Sequence, residues 1–440
     1  MKEECNLITK PKGTYDVLPS ESREWAKLEE TVRKICRLYN YKEIRTPIFE
    51  SFDVFHRNQN DTSDMVTKET YDFLDRSERK ITLRPEGTAG VARAFIENKL
   101  YVENPVSKLF YMGQMFRYER PQKGRNRQFN QFGVEALGSD SPLIDAEVIA
   151  LGASLIRALG LKDVKVLINS LGDEESRNRY REVLVEHFSK YKENLCPDCL
   201  NRLEKNPLRI LDCKVCRHQE FFKTAPKINE YLNDESKKRF DTVLKSLDNM
   251  GLEYEVDDNL VRGLDYYTHT VFELEVNVAE FGAQNVIGAG GRYDKLIEDL
   301  GGPKTPGVGM AFGLERLLLA TNLAGKKLVG DDSIHAYFIA LGENAQKEAL
   351  KLMNVCRIGG LSCEMDYKAG GLKSQFKKAD KNNAHFTLIL GDNELENGVI
   401  NIKDNTNDNQ ETIKIEDIYP YILAKLQKNS GCSTCKEKKE

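Results

Sequence analysis

No hydrophobic run in the 440-residue chain approaches the length of a membrane span. LLLA at 317–320 is typical of the longest, against the roughly 20 apolar residues that a spanning helix requires. The first residues, MKEECNLITKPKGTYD, contain no apolar signal core, so export is not expected. A surplus of positive charge is also missing. The formal net charge is −4, which argues against non-specific coating of nucleic acid and leaves room only for a local basic patch. No internal repeat is apparent. What is present is ordinary for a globular protein, 40% hydrophobic and 30% charged, at a length that allows two or three domains with cores of their own. Ten cysteines in a chain without an export signal suggest thiols or metal rather than a disulfide framework.

Periodicity supplies the elements. Trp25, Leu28, Val32, Ile35 and Leu38 recur at spacings of three and four, one face of a helix over Ser22–Tyr39, before Pro47 interrupts an extended segment. Leu109 to Phe116 reads as a strand, FNQFGVEAL as its antiparallel return, and Glu119–Arg127 as a basic loop between them. Asp145–Leu159 reads as a helix and VKVLINSLG as a strand. Residues 173–250 are charged, helix-rich and carry four cysteines, as an insertion would. Beyond a linker at 326–333, strands IHAYFIAL, LSCEMDY and HFTLILG alternate with helices near 344–357 and 372–383. That pattern predicts a small α/β domain with parallel pairing.

Four stretches carry chemistry. In the basic hairpin, Arg117, Arg120, Lys123, Arg125 and Arg127 are opposed only by Glu119, which on charge alone describes a solvated tip. The flanking strands say more: Gln131 and Glu135 are four apart and share a face, with Arg117 at the other foot of the hairpin. An amide, a carboxylate and a guanidinium on one sheet face suit a small zwitterion joined to a phosphate. In LRPEGTAG, Pro85 and Gly87 force a turn that presents Glu86 and Thr88 before a helix beginning near Ala89. Thr88 is a plausible N-cap, and the carboxylate could equally bind an ammonium group. In GVGMAFGLERLLLA a strand passes into a helix and puts Arg316 on its first turn, where the helix dipole disfavours a cation and an anionic partner is expected. The fourth stretch, RGLDYYTHT from Arg262 to Thr270, heads another strand.

In this order the motifs resemble the three signatures of class II aminoacyl-tRNA synthetases: the first helix with TPIFE, then FRYERPQKGRNRQFNQFGVE, then GVGMAFGLERLLLA. RGLDYYTHTVFE and AGGRYD narrow the resemblance to the histidyl-tRNA synthetase family of the bacterial type, over nearly the whole chain from Lys12. The resemblance implies an α+β catalytic domain at 1–325, an antiparallel sheet flanked by helices, with the helix-rich insertion at 173–250. An α/β anticodon-binding domain at 334–425 and a disordered tail at 426–440 would complete the chain. It implies ATP-dependent attachment of L-histidine to its tRNA through histidyl-adenylate, with Mg2+ accompanying ATP, in a cytoplasmic homodimer without membrane attachment.

Carried over residue by residue, the resemblance assigns Arg262 to the α-phosphate and the substrate carboxylate, and Tyr267 and Glu135 to the imidazole. Tyr266 shapes the pocket, Glu86 and Thr88 with Gly87 hold the α-amino group, and Gln131 bridges toward the carboxylate. Arg117 stabilises the α-phosphate, Arg316 the γ-phosphate, and Arg125 joins the ATP site. His269 lies two residues past Tyr267 on the same predicted strand face; a lone histidine there is more often structural, and it receives no role. A regulatory paralogue of the synthetase, the non-catalytic subunit of ATP phosphoribosyltransferase, is the rival reading. It typically lacks the C-terminal domain and parts of the catalytic motifs, whereas this chain keeps Arg262, Arg316 and about a hundred further residues.

The cysteines of CPDC (Cys196, Cys199) and CKVC (Cys213, Cys216) have spacing that suits tetrahedral zinc. Cysteines are not a general feature of the family's insertion, so reduced, incidental thiols remain the alternative. CSTC at 432–435 sits in the Lys/Glu-rich tail.

Overall fold

Spacings of three and four do put α1 (Pro19–Leu38) on the core, where Leu28, Val32, Ile35 and Cys36 are buried and Trp25 packs at the edge. Leu38, expected on the same stripe, is 71% exposed. At about 100° per residue the stripe passes from Ile35 and Cys36 to Tyr39, and Leu38 points away from it. The structure, a computed structural model, describes residues 7–56, 66, 68–122, 124–213, 215–261, 266–278, 285–330 and 332–430. Two units are distinguished, 1–329 and 330–440.

In the first unit β1 (Lys42–Glu43) follows α1, and β2 (Phe49–Ser51), β3 (Tyr71–Leu74) and β4 (Lys80–Leu83) form a small antiparallel sheet in the order β2-β4-β3. After α2 (Thr88–Glu97) comes the expected hairpin. Strands β5 (Ser107–Phe116) and β6 (Gln128–Leu137) pair from Ser107 opposite Leu137 to Phe116 opposite Gln128. Helix α3 (Pro142–Ala158), capped by Ser141, leads to β7 (Val164–Ser170), α4 (Glu174–Ser189), α5 (Pro197–Lys205), α6 (Asp234–Asn249) and β8 (Tyr254–Val256). Strands β9 (Thr268–Val276), β10 (Val286–Tyr293) and β11 (Gly307–Gly313) then run into α7 (Leu314–Leu323).

The main sheet has the order β1-β5-β6-β11-β10-β9-β7-β8, antiparallel except at its two outermost pairs. Its period of two decides where chemistry goes. On β6, Phe132, Val134 and Ala136 enter the main core with α1, α3, α6 and α7. Gln131, Gly133 and Glu135 alternate with them and face the other way.

The stretch 173–250 divides between two cores. Tyr180, Leu184 and Phe188 of α4 join Cys199, Leu203, Ile210, Phe221, Phe222 and Leu232 in a cluster of their own. Phe240, Val243 and Leu247 of α6 instead belong to the main core.

The second unit contains β12 (Ala336–Ala340), α8 (Glu343–Ile358), β13 (Cys363–Met365), α9 (Leu372–Lys381), β14 (Phe386–Leu390), β15 (Val399–Asp404), β16 (Asn409–Lys414) and α10 (Ile418–Ser430). Strands β13, β12 and β14 are parallel as expected; β15 and β16 add an antiparallel edge that the sequence reading did not contain. Helix α10 runs past residue 426, where a disordered tail was expected; Cys432 and Cys435 lie outside the described residues. No described helix is long and apolar enough to cross a membrane.

Candidate active site

Glu135 lies near the C-terminal end of β6, 1% exposed, opposite Gly309 of β11. A Cβ at Gly309 would overlap its carboxylate, so the glycine is what admits the acid. One carboxylate oxygen accepts from the Thr88 hydroxyl at 2.7 Å and the other from the Tyr293 hydroxyl. Burial pushes the Glu135 carboxyl up to about 8, against the pull of those two donors. A buried acid of this kind is matched to a polar, partly protonated ligand.

Tyr266, Tyr267 and Tyr293 wall the same space. The rings of Tyr266 and Tyr267 lie 4.9 Å apart, and Tyr293 meets Tyr266 edge-on at 5.6 Å. The Tyr267 carbonyl is held by Arg177 of α4 at 2.7 Å. Tyr293 had no assigned part. Its signal was available in AGGRYD: strand alternation sends Arg292 and Tyr293 to opposite faces. Arg292 is fully buried on the helix side, ion-paired with the equally buried Asp145 and bonded to the Ser139 carbonyl at 3.1 Å.

Glu86 caps the helix that Thr88 was expected to cap. Its two oxygens accept from the Thr88 and Ala89 amides at 2.7 and 2.8 Å, which frees the Thr88 hydroxyl for Glu135. A side chain at Gly87 would strike the Tyr111 ring. Gln131 shares this face, and its Oε1 is buried without a hydrogen-bond partner among the described residues. An unpaired buried acceptor marks a place for a donor from a ligand.

The cations gather at one side. Arg117 Nε donates to the Pro85 carbonyl at 2.9 Å, tying the hairpin foot to the Glu86 turn. Arg316 Nη2 donates to the Val286 carbonyl at 2.8 Å, and burial together with the Arg125 charge lowers its pKa. A guanidinium disfavoured by burial and by a neighbouring cation is poised for an anion. Arg125 has Glu119 at 3.7 Å. Glu315 is occupied elsewhere, accepting from the Asn130 amide at 2.7 Å and the Tyr15 hydroxyl at 2.8 Å, so the KGTYD segment is bound to both motifs. Arg84, which the sequence reading passed over, is buried and bridges Gln114 and Thr46 through their carbonyls.

Arg262 lies outside the described residues, as do Gly263 to Asp265 and Lys123. His269 does not share a face with Tyr267. The register of β9 on β10 jumps between Val271 opposite Gly291 and Thr268 opposite Arg292, and His269 takes φ of +45°. This bulge turns the ring toward Asp294, 3.8 Å away, on the side of the Arg292 network.

Away from this pocket, the sulfurs of Cys196, Cys199, Cys213 and Cys216 all lie within 4.8 Å of one another. Spacings of four, one and three predict Lys373, Lys377, Lys378 and Lys381 along one side of a helix; on α9 Lys373, Lys377 and Lys381 are exposed, but Lys378 pairs with the buried Asp366 at 2.6 Å.

An antiparallel sheet carrying a buried acid among tyrosines, a motif hairpin and a strand-to-helix arginine has the architecture of a class II aminoacyl-tRNA synthetase. Residues 13–317 match the histidyl-tRNA synthetase family, and 335–425 match an anticodon binding domain. The histidine–tRNA ligases of Bacillus licheniformis and Bacillus cytotoxicus are each 50% identical to this chain, over 414 and 417 residues. Each alignment covers 94% of it, and 97% and 99% of the respective relative. The apo histidyl-tRNA synthetase structure from S. aureus is 42% identical, covers 94% of this chain and all of its own, and superposes with a TM-score of 0.82. An ATP phosphoribosyltransferase regulatory subunit/histidyl-tRNA synthetase from Bacillus halodurans C, 23% identical, covers 88% of this chain and 97% of its own with a TM-score of 0.60, which shows a shared fold alone. The chain belongs to the histidyl-tRNA synthetase family.

Proposed function

We infer that the chain carries out its family's reaction, the ATP-dependent attachment of L-histidine to its tRNA. ATP and histidine give histidyl-adenylate and pyrophosphate, and the histidyl group then passes to the terminal ribose of the tRNA. The observation that carries this is Glu135: a buried carboxylate among tyrosines can read an imidazole, which offers one N–H and one acceptor nitrogen. Polar reading of this kind rejects analogues that an apolar pocket would admit.

Glu135 and Tyr267 address the imidazole, with Tyr266 and Tyr293 shaping its walls. Glu86 and Thr88, beside Gly87, meet the α-ammonium; Glu86 keeps lone pairs beyond the two amides it caps. Gln131 reaches toward the substrate carboxylate. Arg117 and Arg262 face the α-phosphate, Arg125 and Arg316 the outer phosphates. Cations so placed stabilise charge that develops during in-line displacement, a step that needs little covalent help. Magnesium accompanies ATP and offsets part of its charge.

We assign 1–325 to catalysis, 173–250 to an insertion, 326–333 to a linker and 334–425 to anticodon-stem binding, with Lys373, Lys377 and Lys381 toward phosphates. The four insertion cysteines suit zinc. The protein works in the cytoplasm as a C2 homodimer. Leu38, Phe49, Phe73 and Leu74, 71%, 55%, 44% and 62% exposed, supply apolar surface on the first helix and small sheet. Sedimentation giving only the single-chain mass at micromolar concentration counts against the dimer. Pyrophosphate exchange that requires both histidine and ATP tests the catalytic reading against a regulatory one.

A further inference from the structure

Resting on the zinc reading of the four cysteines, we propose that the metal makes residues 195–232 a local folding unit, one that opens on metal loss while the catalytic sheet stays closed.

Geometry sets the site. Four thiolates at about 2.3 Å from a tetrahedral zinc stand about 3.8 Å from one another; Cys196 and Cys213 are already 3.7 Å apart, and all four sulfurs fall within 4.8 Å. Pro197 opens α5 and places Cys196 at its N-cap, with Cys199 in its first turn. From the other side, the Cys216 amide donates to the Cys213 sulfur and the Cys196 amide to the Cys216 sulfur, each at 3.4 Å. Backbone N–H groups aimed at sulfur stabilise a thiolate in preference to a thiol. Zinc binding releases the thiol protons to solvent and leaves a dianionic tetrathiolate centre. Sulfur fills every position, so no site remains for a reacting water and the metal is structural.

The segment has few other means of staying folded. Between Ser189 and Asp234 the regular structure consists of α5, one short helix at Glu220–Lys223 and single 3-10 turns. Its hydrogen-bond ladder is correspondingly sparse. Its core is small, and Cys199, Cys213 and Cys216 are part of it, at 0%, 5% and 1% exposed. A core this size needs a staple. Metal bonds join the start of α5 to the CKVC turn across seventeen residues, tying chain that no strand pairing holds. Helix α4 has separate anchors, Arg177 on the Tyr267 carbonyl and the Asp173 cap, and Phe240 of α6 sits in the main core.

Metal analysis of the full-length protein purified under reducing conditions, followed by hydrogen exchange before and after zinc removal with a strong chelator, tests this. One zinc per chain is expected, and cobalt(II) reconstitution should give the intense visible bands of a tetrahedral thiolate centre. Zinc removal should speed amide exchange across 195–232 by about tenfold or more, while β5 and β6 hold their protection. Cys196→Ser, the substitution at the half-exposed ligand, should weaken cobalt binding and reproduce the faster exchange. No bound zinc together with no thiolate–cobalt bands overturns the metal reading itself. Stoichiometric zinc whose removal leaves exchange unchanged overturns the folding unit while leaving the site standing.

Discussion

Tyr293 donates its hydroxyl hydrogen to Glu135 across the sheet, from β10 over β11 to β6. The pair joins AGGRYD to the basic hairpin, two motifs more than a hundred and fifty residues apart in sequence. Burial outweighs this donor and pushes the Glu135 carboxyl up to about 8.

That shift has a sign. A carboxyl whose folded pKa is raised favours folding below its unfolded value, about 4.5, and loses that contribution as pH rises through about 8. Glu135→Gln removes the titration. Relative to wild type the variant should therefore gain thermal stability progressively from pH 5.5 to 8 and level off above. Melting temperatures of both proteins across that range measure it; a difference that does not change with pH contradicts the assignment.

Arg316 gives a separate handle on ATP. Its side chain lies beside Arg125, which the Glu119 carboxylate meets at 3.7 Å. A charge-assisted contact to phosphate is worth about 1.5–3 kcal/mol, so Arg316→Ala should raise the KM for ATP by about tenfold or more and leave the histidine KM within about twofold. Equal effects on both substrates would mean that the substitution disturbs the whole pocket.

Asp145 and Arg292 are both fully buried, on the helix face of the sheet. Removing Asp145 leaves the buried Arg292 with Asp294, at 3.2 Å, as its remaining acid, and breaking a buried pair costs about 3–5 kcal/mol. Asp145→Ala should lose stability on that scale in urea unfolding. A loss under about 1 kcal/mol would show that Arg292 finds its support in Asp294 and the Ser139 and Ser141 carbonyls instead.

The hairpin and its acid were legible because period-two alternation survives in FNQFGVEAL, with Phe132 and Val134 inward and Gln131 and Glu135 opposite. The passage from strand to helix that puts Arg316 on the first turn of α7 was legible in GVGMAFGLERLLLA. Tyr293 was not assigned, since its reach to Glu135 depends on which strands lie between them. His269 was misplaced because a bulge breaks the alternation that sequence pattern assumes. The cap of α2 and the place of Lys378 were misread alike: Glu86 takes the α2 amides and Lys378 takes Asp366, local partners that charge patterning cannot show.

All the pocket motifs precede residue 330, where the second unit begins. Truncation after Lys327 should leave histidine-dependent pyrophosphate exchange measurable, provided the dimer survives, while tRNA charging falls sharply through KM. Full-length charging should also weaken with salt, as phosphate contacts by Lys373, Lys377 and Lys381 require. Equal charging by the truncated and full-length proteins removes the second unit from tRNA binding.

The most direct measurement is ATP–pyrophosphate exchange with each standard amino acid in turn, on wild type and Glu135→Gln. Histidine alone should support exchange in wild type, and Glu135→Gln should raise its KM by about tenfold or more with the ATP KM unchanged, the effect of losing a charged hydrogen bond to the imidazole. Absence of histidine-dependent exchange in wild type, or a histidine KM that Glu135→Gln leaves within twofold, contradicts the account.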